Sequence, residues 1–213
     1  MSFFRKKVYA CAGFYTVSLG TGRKEFHPKK ERPGIEHYIK EAGLGAIGQI
    51  PHPEHIDEGV IGNFVAERFC HQGNMSGFFP MVHETFQYKP CMRVEGACDS
   101  GGLALVASLK TVLSDVADVV LCLGVEVQNT VKAMYGADYL AAAGWYAGER
   151  KSGHAYFFPD QFSRRAGACF DKFGHDRVRA GMAEWYVNAI ENARRNPKAQ
   201  EYHNANTDLR ATG

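Results

Sequence analysis

Apolar residues gather first at residues 7–14 (KVYACAGF), a short run rich in β-forming side chains that ends at a glycine region and reads as a buried strand. Residues 20–33 (GTGRKEFHPKKERP) are polar, basic and broken by glycine and proline, which predicts a loop. Residues 34–48 then allow a helix with a glycine-rich end. From Ile56 to Arg68 apolar positions recur ahead of a loop-forming stretch, 70–77 (CHQGNMSG), so a short strand or turn followed by a helix is expected.

The middle of the chain carries the clearest pattern. Residues 90–97 (PCMRVEGA) are strand-like, and 98–102 (CDSGG) form a turn of small residues. Leu103, Val106, Ala107, Lys110 and Leu113 fall at helical spacing with the apolar members on one face, which predicts a helix over 100–114. Residues 118–125 (DVVLCLGV) are a buried-strand run closed by the acidic Glu126. The sum is one right-handed crossover between parallel strands, with Val94 in the first, Val120 in the second and Cys98 where the first gives way to the helix.

Beyond Glu126 the texture turns aromatic and irregular. Tyr135, Tyr139, Trp145, Tyr146, Tyr156, Phe157 and Phe158 read as core, ahead of two helices at 159–173 and 175–194. Asp176 is a candidate N-cap for the second, whose apolar stripe is Val178, Met182, Trp185, Tyr186, Ala189 and Ile190. The tail, 201–213, is polar and suggests no element.

Composition narrows the function classes. A chain of 213 residues, 45% apolar and 23% charged, makes one large or two small globular domains, not a disordered or fibrous protein. Lys+Arg 25 against Asp+Glu 23 gives +2, and the basic residues form only short clusters (Arg5-Lys6-Lys7, Lys29-Lys30), so no nucleic-acid partner is expected. No apolar run approaches the ~20 residues that span a bilayer, and no cleavage site follows the N-terminal charges, so no membrane span and a cytoplasmic location are expected. The six cysteines contain no CxxC pair, and the nine histidines, His52 and His55 included, lack a compact ligand pattern. Neither a disulfide framework nor a metal site is signalled.

One cysteine stands out chemically. At the start of a helix, unpaired amides and the helix dipole favour a thiolate and can donate to the oxyanion formed on an attacked carbonyl. Ala97, Ser100, Gly101 and Gly102 leave room for a substrate beside Cys98. The arrangement is a nucleophile turn with sulfur in place of oxygen.

Residues 94–105 (VEGACDSGGLAL) resemble the nucleophile segment of thiolases, especially the sterol carrier protein 2 branch, which reads close to V-E-x-A-C-A-S-G-G. Residues 60–64 (VIGNF) with 72–77 (QGNMSG) resemble the V-G-N-F and Q-G-H-L-G stretch, and 119–128 resembles the V-G-V-E strand. Residues 136–140 with Phe158-Pro159 resemble the start of the loop domain, and Asn188-Ala189 with 196–200 (NPKAQ) its end. The resemblance implies an α/β, thiolase-like fold, here an N-terminal βαβαβαββ half over residues 1–130, with an inserted helical loop domain over 131–213. It implies thiolysis of a 3-ketoacyl-CoA, or the reverse Claisen condensation, through an acyl-cysteine on Cys98, whose own N–H helps to hold the thioester oxygen. Coenzyme A thioesters enter as substrates and no cofactor is implied.

By the same resemblance Gly101, Gly102 and Phe158 are candidate substrate-binding positions. Arg164 and Arg165 could meet CoA phosphates or simply line an exposed helix face, while Gln72 and Asn74 fall near a dimer interface. His71 and His83 are weaker candidates for a base, because the family draws its activating histidine, an asparagine and a second cysteine from a C-terminal half not found here. Asp99, where the family more often has alanine, either caps the helix or opposes the thiolate. Asn74 replaces a usual histidine. A lone first half would leave an apolar face uncovered, so a homodimer or larger assembly is expected, with a C-terminal-half chain or a zinc-containing OB-fold protein as possible partners. Alternatives are a ketoacyl synthase or hydroxymethylglutaryl-CoA synthase-like enzyme, and a non-catalytic thiolase-like subunit.

Overall fold

A computed structural model of the chain describes residues 6–212; Arg5 of the first basic cluster lies outside them. By contact the described residues form two units, 6–15 with 33–148 and 16–32 with 149–212. The sequence reading divides the chain between 130 and 131, whereas residues 131–148 group with the first unit and 16–32 with the second.

The first unit is mixed α/β, built on a parallel sheet of β1 (Glu58–Gly62), β2 (Cys91–Val94) and β3 (Val120–Gly124) in the order β2-β1-β3. Its helices are α1 (Ile35–Ile47), α2 (Ala66–Phe69), α3 (Phe79–Val82), α4 (Ser100–Leu113), α5 (Ala133–Leu140) and α6 (Tyr146–Glu149), the last a single turn where the chain passes toward the second unit. β1 is buried along its whole length because it is covered on both faces and paired on both edges. Ile61, Leu121 and Leu123 share one face with Ile35, Ile39, Ile47, Met75, Phe79 and Phe86, which form the core. Glycine at 59 is required there: a Cβ would stand 2.7 Å from the Phe79 ring.

Helix α4 covers the other face and completes the expected crossover from β2 to β3, with β1 lying between those two strands. Its buried residues are Ser100, Ala104 and Ser108, not the large apolar ones. Of the expected apolar face Leu103, Ala107 and Leu113 are half-buried and Val106 is 44% exposed, which corrects that reading; Leu105, outside that face, is 55% exposed. Small side chains win because they let the helix come down onto the strands, and Ser108 satisfies its hydroxyl within the helix on Ala104 O at 2.8 Å. The contact is closest at the start of the helix, where a Cβ on Gly62 would meet the Ser100 carbonyl oxygen at 2.3 Å. Gly62 pairs in register with Gly124, whose own Cβ position is 3.9 Å from Gly101 Cα. Two strand-end glycines thus form the floor beneath the first turn of α4.

The expected strand at 7–14 is not formed. The segment does not join the open outer edge of β2 or β3 but runs without a ladder along α1, where the Gln49 amide bonds both the N–H and the C=O of Gly13 (3.4 and 2.9 Å) and the Phe14 ring covers Gly45. Local β-propensity without a partner strand does not make a strand. Several aromatics expected in the core are also exposed, among them Tyr135, Trp145 and Tyr156, while Phe157 is buried.

The second unit is helical, with α7 (Phe157–Phe173), α8 (His175–Arg195) and α9 (Leu209–Thr212). Residues 16–32 are fastened to the segment after α8 by Arg23, which is buried with its guanidinium on the carbonyls of Pro197 and Ala199, both at 2.8 Å, and on Glu25. Ser18 N adds a bond to Lys198 O. Three expectations are corrected. Asp176 lies inside the first turn of α8, whose N-cap is Gly174 at φ 83°. Met182 and Trp185 of the expected stripe are exposed, and Ala183 and Ile190 are the buried positions. The tail does form a helix, because the Asp208 carboxylate accepts from Ala211 N and Leu209 is buried.

Among the described residues no helix is long and apolar enough to cross a membrane, and no three His, Cys, Asp or Glu side chains are placed to share a metal.

Gly62→Ala should therefore lower unfolding stability by about 1–3 kcal/mol, the cost of forcing a methyl into a closed contact. Gly101→Ala, with nothing within 4 Å of its Cβ position, should cost less. Urea denaturation of the two variants checks the difference.

Candidate active site

The turn that carries Cys98 is shaped by its own backbone. β2 ends at Val94, Gly96 takes φ −159°, and Ala97 stands in the left-handed region at φ 53° before Cys98 and Asp99 close a 3-10 turn into α4. A non-glycine residue at positive φ is strained, and here local bonds hold it. Ser100 Oγ donates to Ala97 O at 2.7 Å and accepts from Gly96 N at 3.1 Å, while Glu95 Oε1 accepts from Ala97 N at 2.5 Å. A Cβ on Gly96 would stand 2.2 Å from the Leu103 Cδ1 methyl, which would have to turn aside.

Cys98 is exposed at the carboxyl end of the sheet, at the amino end of a helix of 14 residues. Open parallel sheets bind ligands at this edge. The room expected beside it is unequal: the space at Gly101 is open, but at Gly102 a Cβ would lie 2.4 Å from Asp99 Oδ1. The Asp99 carboxylate makes no capping bond to the helix, which corrects the preferred capping role. The first-turn amides of α4 are thus not taken by that side chain. Beside the nucleophile turn lies the short turn Ala141–Ala143. Its segment is tied back to α2 by Arg68, whose guanidinium bonds Asp138 Oδ2 at 2.9 Å and lies 4.2 Å over the Tyr139 ring, and is braced within itself by Tyr146 Oη on Asp138 Oδ1 at 2.6 Å.

The other candidates separate. Gln72 and Asn74 sit in the loop after α2, where Gln72 Nε2 bonds Gly73 O and Asn74, at φ 47°, begins a 3-10 turn; asparagine tolerates that conformation better than most residues. His83 Nδ1 accepts from Thr85 N at 3.1 Å as a turn cap, and His71 is exposed. Phe158, Arg164 and Arg165 all belong to α7 of the second unit. Arg164 is paired with Asp160 at 2.7 Å and Arg165 lies 5.6 Å from the Phe162 ring centre, which itself packs edge-on against Phe158.

A cluster that the sequence reading did not assign lies at the same sheet edge as Cys98. Asn63, 1% exposed, donates from Nδ2 to Val125 O at 2.9 Å and Glu126 Oε1 at 3.3 Å, and its Oδ1 accepts from Ala66 N. Glu126 Oε2 accepts from Phe64 N at 2.8 Å. Burial of the carboxyl end pushes the Glu126 pKa above the ordinary carboxylate value, against the pull of its bonds from Phe64, Val65 and Asn63 and of the Arg93 charge. From the opposite side Arg93 donates to Asn63 O, Phe64 O and Glu67, and its bond to Glu67 holds that carboxylate low. The signal in the sequence is a strand ending in glycine and followed by a polar residue, twice: Gly62-Asn63 and Gly124-Val125-Glu126.

The thiols divide by exposure. Burial pushes Cys70, Cys91 and Cys122 up in pKa, whereas Cys11, Cys98 and Cys169 are exposed. Cys11 was expected to be buried in a strand and is not. Iodoacetamide near neutral pH should label Cys98 faster than Cys70, Cys91 and Cys122, which should become reactive only as the pH rises toward their elevated pKa values. Peptide mapping over time reads the order.

No family model matches the chain. It is 34% identical over 163 residues, 76% of its length, to an acetyl-CoA acetyltransferase of Methanothermobacter thermautotrophicus, and covers 41% of that protein. To an acetyl-CoA acetyltransferase of Methanocaldococcus jannaschii it is 31% identical over 183 residues, 85% of its length and 45% of the relative. The chain thus spans less than half the length of the curated relatives it matches. Similarity to both across most of its sequence, on a mixed α/β fold with a parallel sheet, supports a thiolase-family protein that corresponds to part of those enzymes.

Proposed function

We propose that the chain is the nucleophile-bearing portion of a thiolase-type acyltransferase of the sterol carrier protein 2 branch, acting on acyl-CoA through an acyl-cysteine. The observation that carries this reading is the exposed Cys98 at the start of α4, at the carboxyl edge of a parallel sheet. The Cys98 sulfur attacks the thioester carbonyl, the new C–S bond forms as the bond to coenzyme A breaks, and the coenzyme leaves carrying the thiol proton. During the attack, negative charge on the carbonyl oxygen is met by the Cys98 amide and the helix-start amides, with Gly101 leaving space for approach.

Deprotonating Cys98 and activating a second acyl group need further side chains. In this reading they come from outside the described residues, in the same polypeptide or a partner chain. The outward Leu105 and Val106 of α4 support a covering layer of that kind, whether a second half, a second copy or an OB-fold protein. A second reading, a non-catalytic thiolase-like subunit, is favoured by one observation. The uncapped Asp99 carboxylate stands next to the nucleophile, where it would repel a thiolate and a forming oxyanion.

Incubation with acetyl-CoA should add one acetyl group to the intact mass, mapped to Cys98, and Cys98→Ala should abolish it with unchanged circular dichroism. If wild type stays unmodified while Asp99→Ala becomes acetylated, the non-catalytic reading holds. If neither is acetylated, the acyl-cysteine reading fails.

A further inference from the structure

The bonded cluster at the sheet edge has no part in the chemistry above, yet it is joined directly to the floor under the nucleophile helix. Gly62 touches the Ser100 carbonyl, and Gly62 O accepts from Val125 N at 3.1 Å. Residues 63 and 64 follow Gly62 at once, and Glu126 follows Gly124 by two. Every backbone polar group of this crossing is satisfied: Asn63 N on Val94 O, Asn63 O and Phe64 O by Arg93, and Phe64 N by Glu126. Of these partners, only Glu126 ties the loop after β1 to the segment after β3 through a charged side chain. We infer that Glu126 is a positioning residue for the nucleophile: its carboxylate, bonded to Phe64 N and Asn63 Nδ2, fixes the paired glycines Gly62 and Gly124 against each other and so sets where the first turn of α4, and with it Cys98, is held.

The geometry favours this over a merely local role for three reasons. The bonds span 62 and 63 positions of sequence, so they act between elements and not within a turn. Asn63, which donates to Glu126 from Nδ2, is fully buried, so bulk water cannot readily take the carboxylate's place there. The paired glycines have no side chains to lock them together, so beside the ladder bond from Val125 N to Gly62 O their alignment draws on the side-chain bonds made just beyond them. Loss of the carboxylate removes a protein tie from Phe64 N and from Asn63 Nδ2 and loosens the β1 end against the segment after β3. The helix start, pressed onto both, shifts with them.

The inference rests on Cys98 being the nucleophile, but its test is separable from acyl transfer. Glu126→Ala and Glu126→Gln are compared with the wild-type chain by iodoacetamide labelling and peptide mapping. The ratio of the Cys98 rate to the rates of Cys11 and Cys169, both exposed and remote in sequence, is the readout. Glu126→Ala should lower that ratio several-fold, because a shifted turn changes the access to the Cys98 sulfur and its place against the α4 amides. Glu126→Gln, which keeps one acceptor oxygen, should fall between. Cys70 and Cys122 should stay protected in both, which shows the fold is intact. If Glu126→Ala exposes those buried thiols, Glu126→Gln alone decides: a lowered ratio supports positioning and a wild-type ratio overturns it. Wild-type ratios in both variants overturn it equally. Failure of wild type to take an acetyl group from acetyl-CoA would count against the acyltransferase reading and leave this ratio to be judged on its own.

Discussion

The contact between the Ser100 carbonyl and Gly62 sets the rest of the molecule's chemistry in place. A helix can come this close to a strand only where the strand has no side chain. The register that pairs Gly62 with Gly124 clears two adjacent positions at once. The small face of α4, Ser100, Ala104 and Ser108, continues the same close approach along the helix. Cys98 is exposed at the sheet edge because its turn lies one step before that contact, and the strain at Ala97 is held by Ser100, the residue that makes it. Packing and site are thus one arrangement.

That arrangement has a cost that explains the surface of the first unit. A helix seated by small residues turns its larger ones outward, so Leu105 and Val106 face away from the sheet beneath. The Asp99 carboxylate, lying over Gly102 and uncapped, is the feature hardest to reconcile with an active nucleophile.

Much of the central fold is legible in the sequence, for a physical reason. Strands β1, β2 and β3 are apolar runs closed by glycine or small residues, and the turn from Val94 to Ser100 announces a strand giving way to a helix. The run at 7–14 has the same local character but lies along α1 instead of along a strand edge, and pairing is a property of neighbours, not of the run. The face of α4 misleads because large apolar residues signal burial only when room exists for them; here the partner surface is bare backbone and selects small ones. The tail helix was missed because its signal is a single capping aspartate, Asp208. In the site, the placement of Cys98 follows from the turn pattern, and the roles of Phe158, Arg164 and Arg165 rest on resemblance alone. Asn63 and Glu126 are more than sixty residues apart, and no window of sequence joins them.

The most direct test is a crystal structure of the chain after incubation with acetyl-CoA. The account predicts an acetyl thioester on Cys98 Sγ, its carbonyl oxygen turned to the Cys98 and helix-start amides, with Ser100 O still against Gly62. A structure in which α4 stands away from the Gly62–Gly124 pair, or in which the acetyl group sits on another residue while Cys98 remains a free thiol, would contradict it.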